Sequence, residues 1–214
     1  MTPEAFVAAQ TVVASPPLVP EIALHLASEV TPLWQATEAT LARDNLPPPY
    51  WAFAWPGGQA LARYVLDHRD IVHGRRVLDF AAGSGLVAIA AAKAGASGVT
   101  ASEIDPFALA AITRNARLNG VRVDIARHDL TAAPPEEWNV VLAGDVCYER
   151  PMAERVTSWL RAAAKRGALV LIADPGRAYL PAAGLEVLAR YVVPTSRDLE
   201  DRSERETRVL RVLP

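Results

Sequence analysis

Apolar residues in this chain fall into short runs separated by longer amphipathic stretches. The clearest alternation lies between residues 77 and 105. Val77-Leu78-Asp79-Phe80 is a short apolar run, followed by the turn Gly83-Ser84-Gly85. An alanine-rich stretch then runs to Ala94 and is closed by Gly95. A second apolar run, Val99 to Ala101, leads to Glu103. This pattern predicts strand, turn, helix and strand, a single βαβ unit.

The same reading extends over the rest of the chain. Residues 1–14 can form a short helix from Pro3 or Glu4, ended by Ser15-Pro16-Pro17 because proline cannot continue the hydrogen-bond ladder. Alternation in Glu21–Leu26 suits an edge strand, and apolar positions recur at Leu33 and Trp34. Leu46-Pro47-Pro48-Pro49 reads as a stiff extended segment. Gln59 to Leu66 and Met152 to Lys165 have helical spacing, the second with Val156, Trp159, Leu160 and Ala163 on one side. Asp105-Pro106 starts another helix, Asp105 capping it and Pro106 at its first position, and Asn119-Gly120 closes it after Leu118. Further strands are expected at Val121–Ile125, Trp138–Ala143, Ala168–Ala173, Val187–Val193 and Thr207–Leu213. Arg177–Leu180 reads as a short helical turn and Ser196–Glu206 as a solvated loop.

The total is seven strands with helices between the first five. A terminal pair joined without a long helix suits an antiparallel sheet edge. The expected fold is therefore α/β: a Rossmann-like, mostly parallel seven-stranded sheet with an antiparallel C-terminal edge. Residues 1–49 are expected to be an N-terminal extension packing on the core, with one domain from 50 to 214.

Composition narrows the classes. The 214 residues are 51% apolar, enough for a sizeable core. A net charge of −2 gives no general case for nucleic acid or an anionic membrane. One cysteine, Cys147, excludes an internal disulfide and a cysteine zinc cage, and no metal site is expected. No apolar run reaches about 18 residues, the length of a membrane helix. The acidic start, lacking a basic region, is unlike a secretory signal. A reducing, cytoplasmic setting and a monomer are expected.

The turn at Gly83 to Gly85 carries the chemistry. Glycines let backbone approach a ligand where a Cβ would collide, and the helix behind them points unpaired N–H groups at it. Glu103 lies 18 residues beyond Gly85, near the usual place for a carboxylate that binds ribose hydroxyls. Gly83-Ser84-Gly85-Leu86-Val87-Ala88 fits the dinucleotide pattern, a weak match alone. Asp79, four residues before Gly83, argues against a pyrophosphate, which it would repel. S-adenosylmethionine carries a sulfonium and an ammonium instead, and acids at Asp79 and Glu103 suit it. The stretch resembles the glycine motif of seven-stranded methyltransferases, with Ala81 in place of the usual first glycine. Asp105 competes for the ribose role but already has a capping task. Asp129, past the third strand, suits an adenine amino group; otherwise it is a cap.

Two more segments bear on the acceptor. Tyr50-Trp51-Ala52-Phe53-Ala54-Trp55 is followed by Pro56-Gly57-Gly58, and its aromatics either plug the core or wall the cofactor and substrate channel. Asp145 and Tyr148 follow the fourth strand, at the ligand-facing edge of such sheets. Asp145 would orient an acceptor amine, and Tyr148 would supply a hydroxyl and a ring face. Cys147 between them lacks a neighbouring base and reads as packing.

Asp145-Val146-Cys147-Tyr148 fits the Asp-x-x-Tyr signature of the family 16 protein methyltransferases. Together with Trp51 to Gln59 and the glycine motif, the chain resembles a bacterial relative of the lysine methyltransferases of the electron transfer flavoprotein β subunit, from about Pro20 onward. The resemblance implies S-adenosylmethionine as donor, S-adenosylhomocysteine as product and that β subunit as protein partner. It implies that Trp55, Gly83, Ser84, Gly85, Glu103 and Asp129 line the cofactor, with Asp145 and Tyr148 catalytic at the acceptor site; Asp79, Ala81, Ile104, Leu130 and Ala143 are expected beside them on the cofactor. Other expectations are a methyltransferase for another protein, such as a ribosomal protein, or a non-catalytic scaffold that binds the donor. A nucleic-acid or glutamine amino-group enzyme would carry Asn-Pro-Pro-Tyr after the fourth strand, unlike the Asp-Val-Cys-Tyr found here.

Overall fold

The computed structural model describes residues 1–28, 33 and 48–214, the side chains of 198 and 199 excepted. Helix α1 (Pro3–Gln10) starts where Thr2 Oγ1 accepts from Ala5 N, 3.2 Å away. It ends earlier than the prolines require. Thr11 is already extended, and β-branched Val12 and Val13 form strand β1 (Val12–Ala14). Strand β1 pairs antiparallel with β2 (Leu24–Leu26), inside the stretch expected to be an edge strand. Trp34 and Leu46-Pro47 lie outside the described residues.

A 3₁₀ turn at Tyr50–Ala52 precedes α2 (Pro56–Asp67). Then follow β3 (Arg76–Phe80), α3 (Leu86–Lys93), β4 (Gly98–Ser102), α4 (Pro106–Leu118) and β5 (Asp124–Ala126). Strand β5 begins later than expected because Val121 N donates to Ala116 O, 3.0 Å away, and so helps close α4. No helix links β5 to β6 (Val140–Gly144); Leu130–Ala132 makes one 3₁₀ turn, and Pro134-Pro135 then bars a longer helix. The chain ends with α5 (Arg150–Lys165), β7 (Leu169–Asp174), β8 (Leu185–Pro194), α6 (Arg197–Glu200) and β9 (Glu204–Val212). Arg177 to Leu180 makes a single turn, as expected, with Leu180 N donating to Arg177 O at 3.2 Å, and α6 falls in the segment expected to be a solvated loop.

The main sheet has the order β5-β4-β3-β6-β7-β9-β8. Strands β3 to β7 are parallel, and β9 is antiparallel to both β7 and β8. The expected seven-stranded sheet with an antiparallel C-terminal edge is therefore the observed one. Alternate residues serve opposite faces, as the pleat requires. Val77, Val140, Leu142 and Leu171 pack with α2 and α3, while Leu78, Phe80, Val141 and Ile172 pack under α5. Successive crossovers leave β3 in opposite directions, so the crevice between β3 and β6 opens at their carboxyl ends.

The N-terminal strands are tied to this sheet through α4. Asn115, fully buried, accepts from His25 N at 2.8 Å and donates Nδ2 to Ser84 O at 2.8 Å. One side chain thereby joins β2 to the glycine turn. Among the described residues, no helix is long and apolar enough to cross a membrane.

Candidate active site

A cavity of about 510 Å³ lies at the carboxyl ends of β3, β4 and β6, within the range for small-molecule sites. Trp55, Ala81, Gly83, Glu103, Ile104, Asp129, Leu130, Asp145 and Tyr148 line it. A smaller cavity, about 60 Å³, shares Tyr50, Trp55, Ala81, Gly83 and Asp145 with it and adds Asp79 and Ser84. Gly85 and Ala143 line neither cavity. Gly85 caps α3 at φ 80°, and Ala143 is fully buried beneath α5, while its neighbour Gly144 lines both cavities.

The turn after β3 is shaped by backbone conformation. Ala81, where the glycine pattern is broken, has φ 53°, a region that disfavours side chains by about 1–2 kcal/mol. The fold thus keeps a glycine-like conformation without the glycine. Glu103 fastens the turn to β4: its Oε2 accepts from Gly83 N at 3.0 Å and its Oε1 from Ile104 N at 2.7 Å. Asp105 caps α4 by accepting from Phe107 N at 2.8 Å, the task expected of it.

Asp79 is buried, and its Oδ2 accepts from Ala88 N at 2.8 Å. Burial pushes its carboxyl up to about 8, against the pull of the Ala88 bond, and the Glu103 charge adds to the rise. Amides that a bound phosphate would need are therefore given to protein carboxylates, Gly83 N to Glu103 and Ala88 N to Asp79. The site suits a neutral or cationic ligand better than a pyrophosphate.

At the far wall, Asp129 Oδ1 accepts from Thr131 N at 2.8 Å and Thr131 Oγ1 at 2.7 Å. These bonds, the side-chain one foremost, hold its carboxyl below the usual range. Asp129 is thus both the cap of a 3₁₀ turn and a cavity residue.

The aromatic segment divides between both readings. Trp51 is buried against Val7, Ala108 and Ala111, so it attaches the N-terminal extension to the core and also reaches the cavity. Tyr50 and Tyr148 stand 5.3 Å apart, centroid to centroid, 48% and 40% exposed at the cavity mouth. Trp55 sits 6.1 Å from Tyr50 and donates Nε1 to its carbonyl at 2.8 Å.

Asp145 is the most heavily bonded acid of the site. It has φ 54°, and its Oδ2 accepts from Gly57 N and, at 3.3 Å, from Gly58 N. Helix α2 can approach this closely only because Gly57 and Gly144 lack side chains; a Cβ on Gly57 would press on Ala173 O and Asp145. Oδ1 accepts from Arg177 Nε at 3.1 Å and Nη2 at 2.9 Å. Burial pushes the carboxyl up to about 6, although the Arg177 guanidinium and the Gly57 amide oppose the rise. Burial first, and neighbouring Tyr50 and acids second, push the Tyr148 phenol up to about 12, so it stays a donor at neutral pH. Cys147 is fully buried and its thiol is likewise pushed up to about 12 by burial, in keeping with a packing role.

The sequence reading did not find Arg177, Glu200, Gly57 or Gly58 in this site. A signal for the glycines exists: proline at a first helical position announces a helix start, placing the free amides of α2 at Gly57 and Gly58 rather than after them. Arg177 follows a strand end through Asp174-Pro175-Gly176, where Asp174 Oδ1 accepts from Gly176 N and Arg177 N, both at 2.6 Å. Glu200 lies too far along the chain for spacing to reveal it.

Comparison with known proteins follows the same lines. The family model of ribosomal protein L11 methyltransferase (PrmA) matches residues 59–148. The electron transfer flavoprotein beta subunit lysine methyltransferase of Xenopus laevis is 38% identical over 200 residues, spanning 91% of this chain and 80% of that protein. Its Danio rerio namesake is 37% identical over 191 residues, 86% of this chain and 73% of that one. Among solved structures, magnesium protoporphyrin IX methyltransferase from Synechocystis PCC 6803 with bound SAM superposes with a TM-score of 0.54. It is 16% identical, covering 73% of this chain and 78% of the other, a likeness of fold.

Proposed function

The chain belongs to the electron transfer flavoprotein beta subunit lysine methyltransferase family, and from that premise we propose that it methylates lysine side chains of that β subunit with S-adenosylmethionine as donor. One observation carries the reading. The glycine turn, Glu103, Asp129 and the Asp145–Tyr148 pair, far apart in sequence, surround a single cavity.

When bound, S-adenosylmethionine supplies a methyl group on a sulfonium and leaves as a thioether. Glu103 would accept from a ribose hydroxyl while keeping its bonds to Gly83 N, Ile104 N and Asp105 N, since a carboxylate has about four acceptor sites. Asp129 would accept from the adenine amino group through Oδ2, which makes no hydrogen bond among the described residues. Asp79, on the smaller cavity, would face the amino-acid end, whose ammonium favours the ionised carboxyl. Residues 50–214 would form the methyltransferase domain, with residues 1–49 as its extension.

At the mouth, Tyr50, Tyr148 and Trp55 offer ring faces that attract a lysine ammonium. A lysine needs its lone pair free to react, and its ordinary pKa of about 10.4 leaves little neutral amine at pH 7. Arg177 lines the same cavity, and its charge favours loss of the amine proton to water. Asp145 would then hold the neutral amine by accepting from its N–H, aiming the lone pair at the donor methyl. The acceptor is a protein rather than a nucleic acid or a membrane, consistent with the net charge of −2, and a reducing, cytoplasmic setting suits the single buried thiol.

The test pairs calorimetry of the thioether product with transfer of labelled methyl to the β subunit. Wild type is expected to bind and to label lysine. Asp145→Asn is expected to bind the product within about twofold but to label at least about a hundredfold more slowly, the scale of losing alignment. Binding without label on any lysine would contradict the reading. The L11 methyltransferase family model gives the second reading, a ribosomal-protein acceptor. It covers only residues 59–148, however, while the β-subunit enzymes align over most of the chain. Label on a ribosomal protein and none on the β subunit would favour it.

A further inference from the structure

Asp145 has no acceptor position to spare. Its four hydrogen bonds, two from α2 amides and two from Arg177, fill the roughly four sites of a carboxylate. A lysine amine that is to be held there must displace one donor. The α2 amides are fixed by the helix start and by tight packing at Gly57 and Gly144. Arg177 is differently placed, because it has a second anion.

That anion is Glu200, at the end of α6 and 3% exposed. It accepts from Arg177 Nη2 at 2.5 Å and Nη1 at 3.1 Å, a two-pronged pairing. Arg205 Nε on β9 donates to it at 3.0 Å, so Glu200 is held from both sides. Arg177 thus bonds Asp145 through Nε and Nη2 and Glu200 through Nη2 and Nη1. Releasing Asp145 leaves the Glu200 pairing whole. The guanidinium also lies 5.9 Å from the Trp55 ring, within reach of a cation–π contact.

We propose that Arg177 is an exchangeable placeholder on Asp145: it occupies Oδ1 until the acceptor amine arrives, and Glu200 retains it when the amine takes its place. This rests on the reading of Asp145 as the residue that holds a lysine amine. Arg177 and Glu200 are then positioning residues, and the β8–β9 connection becomes part of the acceptor site. Before exchange, Asp145 is held ready and its buried charge is matched. During exchange, Asp145 accepts from the incoming amine in place of the guanidinium, and Arg177 keeps Glu200 as its anion. Leaving a buried charge unpaired is far more unfavourable than trading partners.

The device gives an unusual ordering of variants. In Glu200→Gln, Arg177 has only Asp145 as its anion and grips it harder. The KM for the β subunit should rise about tenfold, one charge-assisted hydrogen bond's worth, with kcat changed less. In Arg177→Gln the placeholder is gone, so KM should stay near wild type while kcat falls. The double variant Glu200→Gln/Arg177→Gln should return KM to within about threefold of wild type. A merely structural network would make the double variant at least as poor in KM as Glu200→Gln. That result, or an unchanged KM in Glu200→Gln, overturns the proposal.

Binding supplies a readout separate from turnover. Calorimetry with S-adenosylhomocysteine should give the same affinity within about twofold in all three variants; a loss confined to donor binding would assign the network to the donor and overturn the proposal. Should Glu200→Gln fail to fold, Glu200→Asp, which keeps the charge with a shorter reach, should show an intermediate KM, and wild-type kinetics there would count against the exchange. Wild type that binds donor but labels no β subunit would instead bring down the underlying reading, and the proposal with it.

Discussion

Three carboxylates around two adjoining cavities serve three purposes because their surroundings differ. Glu103 is shared between the glycine turn and the end of β4, Asp79 is enclosed, and Asp145 is locked by a helix start and an arginine. Replacing Glu103 by alanine is expected to weaken donor binding by about 1–3 kcal/mol, the scale of charged hydrogen bonds. Calorimetry checks this, and unchanged affinity would move the ribose role to Asp105. Asp79 predicts a pH effect. Its folded carboxyl titrates near 8 and an unfolded one near about 3.9, so between these the folded state holds a proton that the unfolded state has lost. The contribution is full below the ordinary value and is lost as pH rises through about 8. Melting of donor-free wild type, taken relative to Asp79→Asn, should therefore fall as pH is raised from about 4 to about 8; a difference independent of pH would show that Asp79 is ionised in the fold. At this scale the sequence pointed to Glu103, Asp129, Asp145 and Tyr148, each past a strand end, and to Asp79 within β3; the first four line the larger cavity and Asp79 the smaller. It could not reveal Arg177 and Glu200, whose roles depend on a contact between β7's end and α6.

At the scale of elements, the junction of α2 with β6 shapes the surroundings of Asp145. Gly57 lies where any side chain would collide with Ala173 O and Asp145, while a Cβ on Gly58 of the same helix would meet nothing within 4 Å. Gly57→Ala is thus expected to destabilise the protein by about 1–3 kcal/mol, as overpacking does. Gly58→Ala should be neutral or stabilising by up to about 1 kcal/mol, through helix propensity. Paired thermal melts check the contrast; equal effects would mean that α2 does not sit so close to β6. Periodicity located α2, α4 and α5 well because each buries one stripe. It extended α1 through Thr11 to Ala14, where β-branched residues and pairing with β2 prevail, and it placed a helix before β6 where two prolines allow only a 3₁₀ turn. It also read α6 as solvated, because alternating charge on a short segment looks the same whether the charges face water or pair across strands.

The whole molecule is a sheet whose strand order reverses at β3, opening one crevice, with an N-terminal segment tied across α4 to the glycine turn. The mostly parallel sheet with its antiparallel C-terminal edge was legible because the βαβ unit, the closing glycines and the paired C-terminal strands each restrict topology, whereas the tie through Asn115 depends on contacts far apart in sequence. What the fold places together is one cavity and an acid–phenol pair at an aromatic mouth, and the central claim is that a lysine of a protein enters there. Intact-mass spectrometry of the electron transfer flavoprotein β subunit, followed by peptide mapping after incubation with enzyme and S-adenosylmethionine, tests it most directly. The account predicts added methyl groups on lysine with wild type and almost none with Asp145→Asn. A β subunit of unchanged mass in the presence of donor-bound wild type would contradict it.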